Sequence, residues 1–213
     1  MSEIISRFKA LRIIPVAVLE RTTDAMPLAD ALVAGGLPCI EIVLRSSKAI
    51  DAIHMTSLRK DILVGAGTVL TIDQVKAAMD AGARFVVSPG FNPKTAEYCV
   101  QHQIVHIPGV CTPTEIEAAL ELGLRVLKFF PAEACGGVNT LTAISSPYSQ
   151  VAFIPTGGIH NGNLARYLQL SSVLACGGTW IAKSELIRSG RFDSILNITR
   201  NAVAIANDGV PTD

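Results

Sequence analysis

Short apolar segments recur eight times along this chain, and each leads into a stretch of helical character. They begin about every 20–26 residues and are rich in residues that favour strands. Most are apolar on both faces, which is typical of parallel strands that are covered by helices. The alternation therefore predicts an α/β fold built on a parallel sheet. The predicted strands are residues 13–19, 39–44, 62–69, 84–89, 105–110, 126–131, 152–158 and 173–179.

The segments between these predicted strands carry the signals of helices. Thr71, Thr112 and Asn161 stand where a polar side chain caps the first turn of a helix. Glycines after the periodic part of several segments indicate helix ends, as in Ala-Gly-Gly at residues 34–36. The predicted helices are residues 24–34, 47–60, 72–81, 93–102, 113–122, 139–144 and 161–168, with a longer helical tail at residues 184–207.

Eight parallel strands are the number that closes a TIM barrel, so the predicted fold is a parallel, eight-stranded (β/α)8 TIM barrel. The 213 residues are fewer than the roughly 250 typical of that fold, which predicts one domain over residues 1–213. Within it, residues 208–213 are predicted to be a frayed end. A doubly wound open sheet is the alternative, but it usually has fewer strands, and no GxGxxG motif follows the first predicted strand.

The charge and hydropathy patterns exclude several classes of function. Lysine plus arginine equals aspartate plus glutamate at 18 each, so the chain has no electrostatic footprint for nucleic acid. The first residues carry mixed charge and lack the apolar segment and cleavage site of a signal peptide. No apolar run approaches the roughly 18 residues that suggest a membrane span. We therefore expect a cytoplasmic protein that binds neither nucleic acid nor a membrane.

The cysteines and histidines do not predict a metal site. The five cysteines are widely spaced and include no CxxC pair, which fits reduced thiols better than disulfides or a zinc site. The four histidines form no HExxH spacing, and His106 lies in a predicted strand rather than on a helical face with His102. No metal and no other cofactor is expected.

Lys128 lies within one of the apolar segments, Val-Leu-Lys-Phe-Phe-Pro at residues 126–131. Lysine side chains are almost never fully buried unless they are paired or have a function. Removing an ammonium group from water favours the neutral amine, which is a nucleophile toward carbonyl groups. The alternative is a lysine whose stem is covered while its ammonium group reaches solvent. The functional interpretation is favoured, and Lys128 is the predicted catalytic nucleophile.

Polar residues also lie toward the carboxyl ends of other predicted strands, where TIM barrels carry their active sites. A period of two places Glu41 and Arg45 on one face of the second strand. Thr68 follows Gly-Ala-Gly at the end of the third strand, and Pro89 lies at the end of the fourth. Glu41 and Lys128 are either a buried ion pair or a general acid/base beside a Schiff-base lysine. The convergence of these polar residues favours the second interpretation.

Glycine pairs close the last two predicted strands, as Gly157-Gly158 and Gly177-Gly178. Exposed backbone N–H groups that lead into helix N-termini favour an anion. In TIM barrels, the loops after strands seven and eight commonly bind phosphate. One such pair is usually only a turn, but two at these positions predict a phosphate site.

With these residues identified, the chain resembles the 2-keto-3-deoxy-6-phosphogluconate (KDPG) and 4-hydroxy-2-oxoglutarate (KHG) aldolases over nearly its whole length. Besides Glu41 with Arg45, the resemblance is carried by six motifs. These are Ala-Leu-Val-Ala-Gly-Gly (31–36), Val-Gly-Ala-Gly-Thr-Val-Leu (64–70), Ser-Pro-Gly (88–90), Lys-Phe-Phe-Pro-Ala-Glu (128–133), Pro-Thr-Gly-Gly-Ile (155–159) and Gly-Gly-Thr-Trp (177–180).

The resemblance implies a class I, metal-free lyase that cleaves KDPG to pyruvate and D-glyceraldehyde 3-phosphate, with cleavage of KHG to pyruvate and glyoxylate as a second activity. It implies a homotrimer that acts in the Entner–Doudoroff pathway. By the same resemblance, Lys128 forms the Schiff base and Glu41 moves protons through a water molecule. The substrate-binding residues that it implies are Arg45, Thr68 and Pro89 around pyruvate, Thr156 near the hydroxyls, and Gly157, Gly158, Gly177, Gly178 and Thr179 at the phosphate.

Several positions depart from the family pattern. Thr179 stands where serine is common, and Cys135 stands where a polar residue is frequent, while Cys111 follows the fifth predicted strand. Some relatives carry a basic residue at the end of the first strand, where this chain has Glu20 and offers only the neighbouring Arg21. Whether Arg21 supplies that basic contact stays open from the sequence.

Three other functions remain open from the sequence. A phosphosugar isomerase on the same barrel would work without a lysine adduct. A non-catalytic phosphometabolite-binding barrel would use Lys128 only as an ion-pair partner. An aldolase for the C4-epimeric sugar acid, 2-keto-3-deoxy-6-phosphogalactonate, would use the same chemistry with few changed contacts.

Overall fold

The computed structural model describes residues 2–208, which form a parallel β/α fold with two parallel sheets. A curled six-stranded sheet has the order β5-β4-β3-β2-β1-β9, and a three-stranded sheet has the order β6-β7-β8. The strands are β1 (Ile13–Ala17), β2 (Cys39–Val43), β3 (Leu63–Gly67), β4 (Phe85–Val87), β5 (Val105–Ile107), β6 (Gly109–Val110), β7 (Val126–Phe129), β8 (Ala152–Pro155) and β9 (Cys176–Gly178).

Helices follow most of the strands, as the alternation predicts. A short 3-10 helix, Thr22–Asp24, precedes α2. The described residues contain α1 (Ser2–Leu11), α2 (Ala25–Ala34), α3 (Ala49–Ser57), α4 (Ile72–Asp80), α5 (Pro93–Gln101), α6 (Pro113–Glu121), α7 (Gly137–Ser145), α8 (Asn161–Leu168), α9 (Ser184–Arg188) and α10 (Phe192–Asp208). No helix in this part of the chain has both the length and the apolar character needed to cross a membrane.

The predicted helix starts are confirmed at two positions and displaced at the third. Thr71 and Thr112 each accept a hydrogen bond from the backbone N–H three residues on, and each forms a reciprocal capping box. At α8, the capping side chain is that of His160 rather than Asn161, which is the first residue of the helix. The side chain of Asn161 instead accepts a hydrogen bond from the indole N–H of Trp180, at 2.8 Å.

The structure corrects the predicted elements in two places. The fifth predicted strand is divided into β5 and β6 at Pro108, which lacks the N–H that would continue a ladder. The helical tail is divided into α9 and α10 around Gly190, whose φ of 67° is outside the helical region. The predicted frayed end, at about residues 208–213, falls almost entirely outside the described residues, which end with Asp208 at the end of α10.

Helix α1 was not predicted, and it covers one end of the strands. Ile4 and Phe8 lie one helical turn apart and pack into an apolar cluster with side chains from six strands. The ring of Phe8 meets that of Phe85 edge-on, with centroids 4.9 Å apart. This cluster includes Ile14, Cys39, Leu63, Val87, Val105, Ile107 and Ile154. It fills the inner face of the strands, while a larger cluster lies between the strands and the helices.

His106 on β5 is buried, and we expect it to make the free energy of unfolding depend on pH. Its Nε2 lies 2.9 Å from Ser88 Oγ, and its Nδ1 is buried and has no hydrogen-bond partner within residues 2–208. Burial lowers the pKa of His106 to about 4. The imidazole of His106 is therefore protonated near pH 6.5 in the unfolded chain but only near pH 4 in the folded chain. The contribution of neutral His106 to the free energy of unfolding is fully present above pH 6.5 and is lost as the pH falls toward 4.

The expected loss is about 2 kcal/mol in the free energy of unfolding between pH 7 and pH 5. Urea unfolding at the two pH values measures it. In His106→Leu, most of this difference should disappear because no histidine titrates at that position. Exposed His54→Leu is the control and should keep the wild-type difference. An equal pH dependence in the His106 variant would contradict the assignment.

Candidate active site

Lys128 and Glu41 meet between the two sheets, on the inner face of the strands. Each lies two residues beyond a residue of the inner apolar cluster, Val126 on β7 and Cys39 on β2, so the period of two turns both side chains inward. Lys128 Nζ is 3.7 Å from Glu41 Oε1, and the two side chains are 7% and 4% exposed. The strand interpretation of Lys128 is therefore confirmed, and its side chain is buried beside a carboxylate.

The carboxylate of Glu41 has a buried oxygen that no described residue satisfies. Its Oε1 is buried and has no hydrogen-bond partner among the described residues, because 3.7 Å from Lys128 Nζ exceeds a hydrogen bond. A buried polar atom without a partner is costly, and a water molecule or a polar ligand commonly satisfies it. The gap between the two groups therefore suits a small polar molecule that contacts both of them.

Phe130 also belongs to this site, and sequence analysis missed it. Lys128 Nζ lies 5.0 Å from the centroid of the Phe130 ring, a cation–π distance. The signal was present, since Phe130 is two residues beyond Lys128 along the same segment.

Gly67 leaves the space that the Glu41 carboxylate occupies. A Cβ at Gly67 would lie 2.1 Å from Glu41 Oε1 and 2.7 Å from Glu41 Cγ. Glycine in a strand commonly marks a place where another group approaches the backbone closely, and the structure identifies what approaches the two glycines of β3. At Gly65 it is the ring of Phe85, and at Gly67 it is the carboxylate of Glu41.

Arg45, Thr68 and Pro89 lie just beyond the carboxyl ends of three neighbouring strands. Arg45 is exposed and follows β2 by two residues, so the strand period that would align it with Glu41 ends before it. Thr68 follows β3 directly, and Pro89 follows β4 by two residues, both partly buried. Strands β2, β3 and β4 are consecutive in the six-stranded sheet. The sheet order therefore brings the three residues to the same edge.

The two glycine pairs lie close together on the other side of the site. An isolated parallel bridge pairs Thr156 with Gly177, and a Cβ at Gly177 would lie 2.4 Å from Thr156 Oγ1. Gly157 and Gly158 have φ values of 99° and 82°, which other residues rarely adopt. Gly178 is buried at the end of β9, and Thr179 beside it is exposed.

Arg21 has other partners and does not supply a free basic group at the end of β1. Its guanidinium donates two hydrogen bonds of 2.9 Å to the carboxylate of Asp24. It also donates to the carbonyl of Arg188 at 3.0 Å. The hydrogen bond to Asp24 and the charge of that carboxylate raise the pKa of Arg21. These contacts hold the guanidinium of Arg21 against Asp24 and the carboxyl end of α9.

Comparison with known proteins identifies the relatives of this chain. The family profile described as "Aldolase: KDPG and KHG aldolase" matches residues 4–198. A 2-dehydro-3-deoxy-phosphogluconate aldolase of Treponema pallidum is 46% identical over 208 residues, which cover 96% of this chain and 98% of the relative.

Two solved structures share the fold. A KDPG aldolase of Zymomonas mobilis, solved with 3-phosphoglycerate, has a TM-score of 0.91 and 36% identity and covers 99% of both chains. A KDPG aldolase of Legionella pneumophila holds pyruvate as a covalent carbinolamine intermediate. It has a TM-score of 0.90 and 40% identity, with 93% of this chain and 97% of that chain covered.

These similarities place the chain among the aldolases, which are carbon–carbon lyases. Within that class, the chain belongs to the family of KDPG and KHG aldolases. The family resemblance inferred from the sequence motifs is confirmed.

Proposed function

We propose that this protein is a class I aldolase that cleaves KDPG to pyruvate and D-glyceraldehyde 3-phosphate through a Schiff base on Lys128. The observation that carries the proposal is the buried pair of Lys128 Nζ and Glu41 Oε1, 3.7 Å apart at the inner face of the strands. The covalent pyruvate intermediate held by the Legionella pneumophila relative supports the same chemistry.

The reaction begins when the neutral amine of Lys128 adds to the C2 carbonyl of the sugar acid, forming a carbinolamine. Loss of water gives a protonated imine, which withdraws electrons from C3. A base then takes the proton of the C4 hydroxyl, the C3–C4 bond breaks, and the aldehyde leaves. The remaining enamine takes a proton at C3, and hydrolysis of the imine releases pyruvate and regenerates Lys128.

Glu41 moves protons in these steps through a water molecule. The unpartnered Oε1 and the gap to Lys128 suit such a water, which would contact both the carboxylate and the reacting carbons. Phe130 lies against the Lys128 ammonium group, and its ring would also favour the cationic imine that replaces it. The low exposure of the pair keeps bulk water away from the imine.

The substrate lies across the carboxyl ends of the strands in this proposal. Arg45, Thr68 and Pro89 surround the pyruvate part, with the guanidinium of Arg45 on the carboxylate. Thr156 contacts the hydroxyls. The backbone of the two glycine pairs and the hydroxyl of Thr179 bind the phosphate. The 3-phosphoglycerate in the Zymomonas mobilis relative supports a phosphorylated ligand.

Borohydride reduction in the presence of pyruvate tests the proposal. It should fix a pyruvate-derived mass on the peptide that contains Lys128, and peptide mass spectrometry locates it. Absence of an adduct, or an adduct on another lysine, would overturn the proposal. An isomerase or a binding barrel would form no adduct with any keto acid. Turnover of KDPG, of its C4 epimer and of KHG then ranks the substrates.

Gly67→Ala tests whether the position of Glu41 matters. The new methyl group would displace the carboxylate, and displacement of a catalytic group by about 1 Å can lower turnover about 10²-fold. Borohydride trapping of Lys128 should persist, because the lysine is not displaced. Gly90→Ala, whose Cβ meets nothing within 4 Å, is the control for stability in urea unfolding. Wild-type turnover in Gly67→Ala would show that the carboxylate tolerates displacement.

Thr68→Gly is expected to raise the stability of the protein and to lower its activity. Thr68 has a φ of 56°, a left-handed conformation that strains a β-branched residue. Glycine should raise the free energy of unfolding by up to about 1 kcal/mol, because release of the strain exceeds the added chain entropy. Loss of the hydroxyl should lower kcat/KM about 10-fold.

Gln103→Gly is the matched control for this prediction. Gln103 is exposed and also has a φ of 56°. It should gain less stability, because its side chain is not β-branched, and its kcat/KM should be unchanged. Thermal unfolding and steady-state kinetics measure both quantities. If Thr68→Gly keeps wild-type kcat/KM, Thr68 has no part in binding.

We further infer that the two sheets form one closed (β/α)8 barrel and that the chain is a single domain. Only Pro108 separates β5 from β6, and the isolated bridges Phe153–Val173 and Thr156–Gly177 link β8 to the β9 segment. Counted this way, β5 and β6 are one strand of eight.

The proposed enzyme is a cytoplasmic homotrimer. Exposed apolar side chains lie on α3, directly after α3, after β3 and on α5, where a neighbouring subunit would cover them. They are Met55, Leu58, Leu70 and Val100. Light scattering should give three times the chain mass of 22.5 kDa. The mass of a monomer would contradict the trimer without affecting the proposed chemistry.

A further inference from the structure

The turn at Gly157 and Gly158 is fixed by hydrogen bonds to both of its carbonyl groups. The carbonyl of Gly157 accepts from the backbone N–H of Glu133 at 3.0 Å. The carbonyl of Gly158 accepts from Asn163 Nδ2 at 3.0 Å. In a trans peptide the C=O and N–H groups point in opposite directions, so these contacts also fix the directions of the next two N–H groups, those of Gly158 and Ile159. Successive N–H groups held in a turn form a site for an anion.

The side chain of Glu133 also packs against this turn. A Cβ at Gly158 would lie 2.6 Å from both Cβ and Cγ of Glu133, so the stem of the glutamate fills the space beside the turn. Glu133 is exposed, and a long exposed side chain normally samples several rotamers. Here the hydroxyl of Tyr167 donates a hydrogen bond to Glu133 Oε1. Because Tyr167 is fully buried on α8, it is a fixed anchor that restricts Glu133 to one position.

The hydrogen bond from Tyr167 also holds the charge of Glu133 in one place. A Cβ at Gly137, the first residue of α7, would lie 3.1 Å from Glu133 Oε1 and 3.3 Å from the hydroxyl oxygen of Tyr167. The N-terminus of a helix favours a carboxylate at such a position. Burial, followed by the hydrogen bond to Glu133, raises the pKa of Tyr167 above its usual value, so the hydroxyl keeps the proton that it donates. The carboxylate is thereby held toward α7 and α8, whereas a carboxylate free to turn toward a bound phosphate would repel it.

We propose that Tyr167 and Asn163 are positioning residues for the phosphate group of the substrate. They lie four residues apart, on one face of α8, and both are buried. Tyr167 acts through Glu133, and Asn163 acts through the carbonyl of Gly158. Together they keep the turn in the conformation whose N–H groups meet the phosphate. This role rests on the proposed aldolase function, because it concerns the same phosphate site.

Substrates with and without a phosphate group separate this role from a general loss of structure. Tyr167→Phe keeps the aromatic ring in the core and removes only the hydroxyl. The KM for KDPG should rise about 3- to 10-fold, the effect of losing one hydrogen bond, while kcat is unchanged. The kcat/KM for KHG, which carries no phosphate, should stay at the wild-type value. Steady-state assays of pyruvate release measure both substrates.

Tyr148→Phe is the matched control for Tyr167→Phe. The hydroxyl of Tyr148 donates to Glu117 Oε1 at 2.9 Å on the surface, so this variant loses a hydrogen bond of the same kind away from the turn. It should keep the wild-type KM for KDPG.

Asn163→Ala removes the second contact and should raise the KM for KDPG by a similar factor. It also removes an acceptor from the start of α8, because Asn163 Oδ1 accepts from the N–H of His160 at 2.8 Å. His160→Ala is therefore its control. The exposed side chain of His160 caps the same helix by accepting from the N–H of Gly162 at 3.1 Å, and its loss leaves the bond from Asn163 to Gly158 in place. This control should also keep the wild-type KM for KDPG.

Inorganic phosphate gives a measurement that does not depend on catalysis. It should raise the Tm of the wild type relative to sodium chloride at equal ionic strength. Tyr167→Phe and Asn163→Ala should each need several-fold more phosphate for half of this rise. A wild type that responds to phosphate but makes no pyruvate from KDPG would refute the proposed function and leave the positioning role in place.

Three results would overturn the positioning role. One is an equal fall in kcat/KM for KDPG and KHG in both variants, which would mean that α8 supports the whole site rather than the phosphate. Another is a wild-type KM for KDPG together with a wild-type response to phosphate in both variants. The third is a wild-type protein whose Tm does not respond to phosphate, since the turn would then bind no anion. A change confined to one variant would assign the role to that residue and refute it for the other.

Discussion

Lys128→Met should lower turnover of KDPG by at least about 10³-fold and eliminate the borohydride adduct with pyruvate, because it removes the nucleophile on which every later step depends. Methionine has a similar length and suits the apolar surroundings of β7. Kinetics of pyruvate release and peptide mass spectrometry measure the two losses. Lys9→Met, on the exposed surface of α1, makes the same chemical change away from the site and should leave both unchanged.

Lys128→Arg tests the role of Lys128 as a nucleophile separately from its role in the ion pair with Glu41. Arginine keeps a positive charge near Glu41, which avoids leaving a buried carboxylate unpaired. Its guanidinium stays protonated and cannot form an imine. We therefore expect a folded protein that is as inactive as Lys128→Met. Turnover in the arginine variant would mean that Lys128 acts only through its charge, as in a barrel without covalent chemistry.

The placement of Lys128 and Glu41 was predictable because both lie on strands. A period of two fixes which side chains share a face, and an isolated charge in a buried strand needs a partner. Arg45 was assigned to the face of Glu41 by the same rule. The rule does not apply there, since β2 ends at Val43 and the chain then leaves the sheet.

The contacts that depend on tertiary approach were not predictable. The sequence indicates that something comes close to Gly67, but only the packing of β2 against β3 shows that it is the Glu41 carboxylate. The contacts of Arg21 could not be predicted from the sequence either, because its partners include the carbonyl of a residue 167 positions away. Ile4 and Phe8 have helical spacing, but helix α1 precedes the first strand, so the alternation of strands and helices does not predict it.

Glu41→Gln is expected to lower turnover about 10²–10⁴-fold while Lys128 still forms its adduct with pyruvate. The amide has nearly the same shape as the carboxylate but cannot accept and return a proton. Proton transfer can be measured alone by following, with NMR in heavy water, the exchange of the pyruvate methyl hydrogens for deuterium. This exchange needs only imine formation and proton transfer at C3. We expect the exchange to slow as much as turnover does. Glu3→Gln, exposed on α1, is the control and should exchange at the wild-type rate.

The outcome for Glu41→Gln decides between the two interpretations of the buried pair. If Glu41 only balances the charge of Lys128, the amide should lower stability and leave the exchange rate per adduct unchanged. If Glu41 carries protons, the exchange rate per adduct should fall although the adduct persists. Failure of the adduct itself would place Glu41 earlier, in the steps that form the imine. Gly67→Ala keeps the carboxylate and alters only its position, so a parallel loss of exchange there would show that proton transfer depends on the 3.7 Å arrangement with Lys128.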